Sequence, residues 1–134
     1  MTDLPKHVRM LSGEMYSETG LSPDGSIEVV MNQSAMVKMG LLLGETITLP
    51  DLKDANGKPV KIYVKGVYEP TDSAETFWQS SFRKPDDSVM MDMDLLRSMF
   101  TGENAGMYTM SCYYYPIFEY NDIRSADVAR LIDV

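Results

Sequence analysis

The chain is short of the residues on which much catalytic and metal chemistry rests: among 134 residues there is one cysteine and one histidine. A single cysteine, Cys112, excludes an internal disulfide and a multi-cysteine metal site, and leaves the redox compartment open. Basic residues are also few, 12 Lys+Arg against 20 Asp+Glu, for a net charge of -8. That balance argues against nucleic acid as a partner, because binding it requires basic surface to displace phosphate counterions. It likewise gives no electrostatic attraction to anionic lipid headgroups. No apolar run approaches the roughly 18 residues that span a bilayer, and Met39 to Leu43 is among the longest. The opening residues, with Asp3, Pro5, Lys6 and His7, contain no hydrophobic stretch of the kind a signal peptide needs. Repeats of fixed period and low-complexity segments are absent. So are Gly-x-Ser-x-Gly, Gly-x-Gly-x-x-Gly and the Gly-x-x-x-x-Gly-Lys-[Ser/Thr] loop, which excludes a phosphate loop of the usual kind.

What is present suits a folded domain. A hydrophobic fraction of 44% against 24% charged residues is that of a globular chain rather than a disordered one, and the length suffices for one core. The first 26 residues are polar and turn-rich, with Ser22-Pro23-Asp24-Gly25 a turn. Ile27 to Met31 reads as a strand. Asn32 caps a short helix, Ser34 to Met39, that Gly40 terminates. Glu45 to Leu49 alternates as a second strand. In Val60 to Lys65, Val60, Ile62 and Val64 face one way while Lys61, Tyr63 and Lys65 face the other. Asn56-Gly57 between these strands predicts a hairpin, since both residues tolerate positive φ. The stretch from Glu69 to Asp87 reads as irregular. Ser88 to Met91 follows as a strand, and then a helix from Met93 to Phe100, capped by Asp92 and stopped by Gly102. Tyr108 to Tyr115 reads as an aromatic strand halted by Pro116. The final segment, Asp122 to Val134, carries Ile123, Val128, Leu131 and Ile132 at helical spacing. The expected class is α+β: a small β-rich domain with a mostly antiparallel sheet and a few short helices. The last helix has no cap or breaker, so we expect a piece of something longer.

Candidate chemistry is sparse. His7 and Cys112 form a catalytic pair only if the fold brings them together; otherwise they are an exposed histidine and a buried thiol. Asp51, Asp54, Asn56 and Gly57 miss the register of a calcium loop and read as a connection between strands. Asp92 and Asp94 sit where a helix starts, which fits capping and the macrodipole better than a carboxylate pair. Met90, Met91, Met93 and Met99 belong to a set of 12 methionines; thioethers bind copper(I), but core filling explains the spacing. We therefore expect no catalytic residue, no metal site and no cofactor. Phe77-Trp78 stands apart, a large apolar pair in a polar stretch: either the loop folds back to bury it, or it is exposed as a partner contact. Tyr113-Tyr114-Tyr115 reads as alternating across a sheet.

A longer pattern is carried by the segment from Ser26 to Glu69. It runs Ile27-Glu28-Val29-Val30, Asn32-Gln33-Ser34-Ala35-Met36, Met39-Gly40-Leu41, Gly44-Glu45-Thr46-Ile47-Thr48-Leu49 and Val60 through Tyr68, with Val64-Lys65-Gly66-Val67 inside it. This order resembles the extracytoplasmic, MacB-like periplasmic core domain of ABC transporter permeases of the MacB/FtsX type. Such domains show a strand, a residue-Ala-x-x-x-Gly-Leu helix, a Gly-Asp/Glu-Thr turn into a strand, and a Val-x-Gly-Ile/Val strand. Leu11-Ser12-Gly13-Glu14-Met15 looks like the family's Gly-Arg-x-Pro opening, with Glu14 and Tyr16 in place of Arg and Pro. Asp72 with Phe77-Trp78, and Tyr120-Asn121-Asp122-Ile123, look like features of Gram-positive members. The resemblance spans Val8 to the end.

The resemblance implies that residues 1–134 are a single extracytoplasmic domain excised from a larger membrane permease, with Met1 an added start. It implies a non-enzymatic module at the outer face of the cell membrane, the segment itself soluble. Its partners would be the transmembrane remainder of the permease, a separate ATP-binding subunit that drives the motion, and a peptide, lipid or protein substrate moved in transport or efflux. A stand-alone soluble adaptor docking through an exposed Phe77-Trp78 loop is the alternative. A small hydrolase or transferase working through carboxylates or Cys112 is a third reading.

Overall fold

The computed structural model describes residues 4–54, 56–75, 77–78 and 85–100. Four expectations fall outside them: the Gly102 stop, the strand at Tyr108 to Tyr115 with its tyrosine triplet, the last helix, and the placement of Cys112. Among the described residues a short helix α1 (Leu4–His7) leads into β1 (Val8–Gly13), followed by β2 (Ile27–Asn32), α2 (Gln33–Met39), β3 (Thr46–Lys53), β4 (Pro59–Pro70), a 3-10 turn at Pro85–Asp87, β5 (Val89–Met91) and α3 (Met93–Phe100). These build the expected α+β domain, around a mixed five-stranded sheet that is mostly antiparallel.

β4 is the spine of the sheet. Its first half pairs antiparallel with β3, from Leu49↔Val60 to Thr46↔Tyr63. Its second half pairs antiparallel on that edge with β1, from Gly13↔Gly66 to Val8↔Pro70. Along its other edge lies β2, parallel, in register from Ile27↔Ile62 to Asn32↔Tyr68. β5 closes that side, antiparallel to β2. A parallel pair needs a crossover, here supplied by α2 and β3. Every residue of β2 is buried, as expected of a strand paired on both edges and covered on both faces.

The sheet has two packed faces. On one, Ile27, Val29, Met31, Val60, Ile62 and Val64 form a core with Ala35, joined by Leu95 and Met99 of α3. On the other, Leu4, Val30, Tyr68 and Trp78 form a second core. A bulge links the two patterns: Val29 pairs with Val64, but Val30 pairs with Gly66, so Lys65 is the extra residue. That one-residue slip reverses the alternation of β4, placing Tyr68 in the second core while Val60, Ile62 and Val64 lie in the first. Gly66 also permits β1 to come close, because a Cβ there would collide with the Glu14 carbonyl and the Met10 side chain.

Local signals were realised closely. The Asn32 side chain accepts from the Ser34 N–H at 2.7 Å, and Gly40 ends α2 in the left-handed region at φ 67°. The Asp92 carboxylate accepts from the Leu95 N–H at 2.8 Å, capping α3. The β3–β4 turn differs from a two-residue Asn-Gly hairpin. It runs from Asp54 to Lys58, with Gly57 at positive φ (73°) and Asn56 on the ordinary side. Asp54 organises it by accepting from the Asn56 and Lys58 N–H groups, each at 2.9 Å. Those bonds, the Lys58 bond foremost, hold the Asp54 carboxyl below its ordinary value. β1 and α1 lie where only polar and turn-rich chain was expected, and β4 continues to Pro70, past Lys65.

Candidate functional site

The second face of the sheet gathers the chemically distinctive side chains. Trp78 is 7% exposed and packs with Leu4, Val30 and Tyr68, its ring 6.1 Å from that of Tyr68. Of the two alternatives for the candidate partner contact Phe77, Trp78, the chain takes the fold-back at Trp78, whose ring lies in the second core. The cause is the fold-back of the chain after β4, fixed by the Thr71 N–H donating to the His7 carbonyl at 3.0 Å and the Trp78 N–H to the Glu75 carbonyl at 2.9 Å. Phe77 is half-buried, edge-on to Trp78 at 4.8 Å and stacked on the His7 ring at 3.9 Å with 10° between planes.

His7 sits at the end of α1, where the chain enters β1. Its Nδ1 lies 2.8 Å from Glu75 Oε1, and its carbonyl also accepts from the Trp78 indole N–H at 3.3 Å. A histidine oriented by a carboxylate is one element of acid–base chemistry, but the groups around it are aromatic and structural. The Tyr68 hydroxyl is buried without a hydrogen-bond partner among the described residues. Burial, aided by the negative charge of Asp86, pushes it up to about 12.

On this side of β2 and β4 Glu28 meets Lys65. Lys65 Nζ lies 2.9 Å from both carboxylate oxygens, and the Ser17 N–H donates to Oε2 at 2.6 Å. The Glu28 side chain is 7% exposed and that of Lys65 20%. Burial pushes the Glu28 carboxyl up, but the Ser17 bond and Lys65 outweigh it, and the net displacement is downward. The bulge aims Lys65 at Glu28, so the same irregularity that redirects Tyr68 also forms the ion pair.

The remaining candidates separate in space. Met91 and Met99 pack against the first core, Met90 against the second, and Met93 is 39% exposed. Asp94 lies 3.9 Å from Arg97 on the solvent side of α3, while Asp92 caps the helix, so the two carboxylates serve different ends. Asp51 lies in β3, away from the turn that Asp54 organises. No group of three or more His, Cys, Asp or Glu side chains that could hold a metal ion occurs among the described residues. No helix among them is long and apolar enough to cross a membrane. The apolar stretch at the end of α2 and beyond is exposed: Val37 is 73% exposed and Leu42 68%, with Met39 and Leu43 also exposed.

Comparisons with protein-family models, with curated proteins and with solved structures return no match.

Proposed function

We propose that the chain is a non-enzymatic binding and motion-relay domain, of the kind carried on the extracytoplasmic side of MacB/FtsX-type ABC permeases. The observation that carries this reading is the coincidence of its pattern with a contiguous structural unit. Ile27 to Val30 lies in β2, Asn32 to Gly40 forms the capped helix α2, Gly44-Glu45-Thr46 is the turn into β3, and Val60 to Tyr68 is the spine β4. Scattered chance matches have no reason to fall on consecutive elements that pair with one another. In this reading a separate ATP-binding subunit supplies the energy, and the domain engages a peptide, lipid or protein substrate. A rigid two-faced sheet suits such a relay, because packed interiors move as units rather than deform. The adaptor alternative docks through an exposed Phe77-Trp78 loop, and the burial of Trp78 supports the relay reading over it.

Sequencing the encoding gene beyond both ends of this segment tests the proposal. Apolar stretches of about twenty residues on each side are expected. A natural start at Met1 with a stop directly after Val134 would overturn it.

A further inference from the structure

Two steps of the chain put glycine directly after an aspartate or an asparagine, Asp24-Gly25 and Asn56-Gly57. At such a step no side chain shields the glycine nitrogen, which can close a five-membered ring on the preceding side-chain carbonyl. The fold treats the two steps differently. We propose that Asn56 is a site of spontaneous deamidation to aspartate and isoaspartate, and that Asp54 governs its rate by holding the turn closed.

Asp24 is locked out of this chemistry. Its Oδ1 accepts from the Ser22 hydroxyl and, at 3.1 Å, from the Ser26 N–H, and its Oδ2 accepts from the Ser26 hydroxyl at 2.9 Å. The Ser22 bond foremost, then those from Ser26, holds its carboxyl down to about 2. An ionised carboxylate is a poor target for a nitrogen nucleophile, because it has no neutral group to expel. Asn56 instead carries a neutral amide on an exposed turn. A Cβ at Gly57 would meet nothing within 4 Å among the described residues, so solvent reaches the step freely.

The reaction needs only water. The Gly57 nitrogen bonds to Asn56 Cγ and gives its proton to water. The Cγ–Nδ2 bond breaks, and the amide nitrogen leaves as ammonia with a proton taken from water. Water then opens the cyclic imide: cleavage at Cγ leaves aspartate, and cleavage at the main-chain carbonyl leaves isoaspartate, whose backbone runs through Cβ. In the closed turn the reacting groups are engaged. The Gly57 N–H donates to the Asp54 carbonyl at 2.9 Å, and the Asn56 N–H to the Asp54 carboxylate at 2.9 Å. The Asn56 side-chain amide also bonds to that carboxylate. Attack therefore requires the turn to open, and Asp54 is common to the bonds that must break. The product adds a carboxylate beside Asp54, and isoaspartate also lengthens a connection whose ends pair at Lys53↔Pro59. This inference is independent of the permease reading, since it rests on contacts within the chain.

Peptide mapping by mass spectrometry follows the unaltered chain, Asp54→Ala and Asn56→Gln through incubation at pH 7.4 and 37 °C, with far-UV circular dichroism to establish folding. The unaltered chain is expected to show the amide-to-acid mass change and isoaspartate at Asn56, more slowly than in urea, while Asp24 stays unisomerised. Asp54→Ala should raise the rate about threefold, and Asn56→Gln should show neither product at that position. The proposal is overturned if Asn56 stays intact in the folded chain long after it has converted in urea, or if Asp24 isomerises as fast as Asn56 converts. A rate in folded Asp54→Ala equal to that of the unaltered chain overturns it as well. Should Asp54→Ala fail to fold, the comparison with urea decides: equal rates at Asn56 in the folded and urea-unfolded chain mean that the turn gives no protection, and the proposal falls.

Discussion

Glu28 shows how one residue's surroundings set its chemistry and the acid stability of the fold. A carboxylate that is nearly inaccessible to water is stable only when its charge is matched, and Lys65 and the Ser17 N–H supply that match. Its carboxyl is held below the ordinary value in the folded chain, so the unfolded chain takes up a proton first as pH falls. Its contribution to stability is therefore complete above the unfolded carboxylate value, about pH 4, and is lost as pH falls through the lower folded value. Urea unfolding of Glu28→Gln at pH 7 and pH 3 should show a loss of about 3 kcal/mol at neutral pH, where Lys65 loses its partner, and a smaller loss at pH 3. An equal loss at both pH values would mean that the pair does not couple folding to protons. Neither residue was singled out from the sequence, because 37 positions separate them and only the pairing of β2 with β4 brings them together.

Among elements, β4 shows what a local pattern conveys and what it misses. Val60, Ile62 and Val64 announce one buried face, and the caps at Asn32 and Asp92 announce two helices, because those signals depend on residues a few positions apart. The bulge at Lys65 is silent in the sequence, since it is defined by its partner strand. β1 was illegible for a different reason. Its burial alternates only at Val8 and Met10 and then gives way to exposed residues, as an edge strand allows. The parallel pairing of β2 with β4 is similarly non-local, and Trp78 could be placed only once the fold-back onto His7 was seen. Gly66 ties these features together, because its missing side chain lets the Glu14 segment pass. Gly66→Ala is accordingly expected to destabilise the domain by about 2 kcal/mol or more, since the obstacle is backbone and cannot rotate away. Thermal unfolding measures this, and a Tm within a degree or so of the parent would show that β1 is free to shift.

Across the whole molecule, the sheet acts as a partition, and that partition decides what the methionines can do. A thioether site for copper(I) requires several sulfurs to converge on one ion. Met90 and Met91 are adjacent in β5, and strand alternation sends them to opposite faces. Met90 packs with the Trp78 core, while Met91 joins Met99 and Leu95 on the first core. Met93, at the start of α3, is partly exposed. Bringing Met90 to the same ion as Met91 would require one of them to leave its core through the sheet, giving up its partial burial, where full burial of a side chain of this size contributes about 2 kcal/mol. Their abundance is better understood as adaptable filling on both sides of an irregular, bulged sheet. Cys112 offers a thiolate of its own, so the titration is made on Cys112→Ser. Anaerobic calorimetry with copper(I) is expected to show no saturable binding tighter than micromolar. Saturable submicromolar binding that disappears in Met91→Leu, a substitution that keeps the core volume, would show that the sheet opens to bring these sulfurs together.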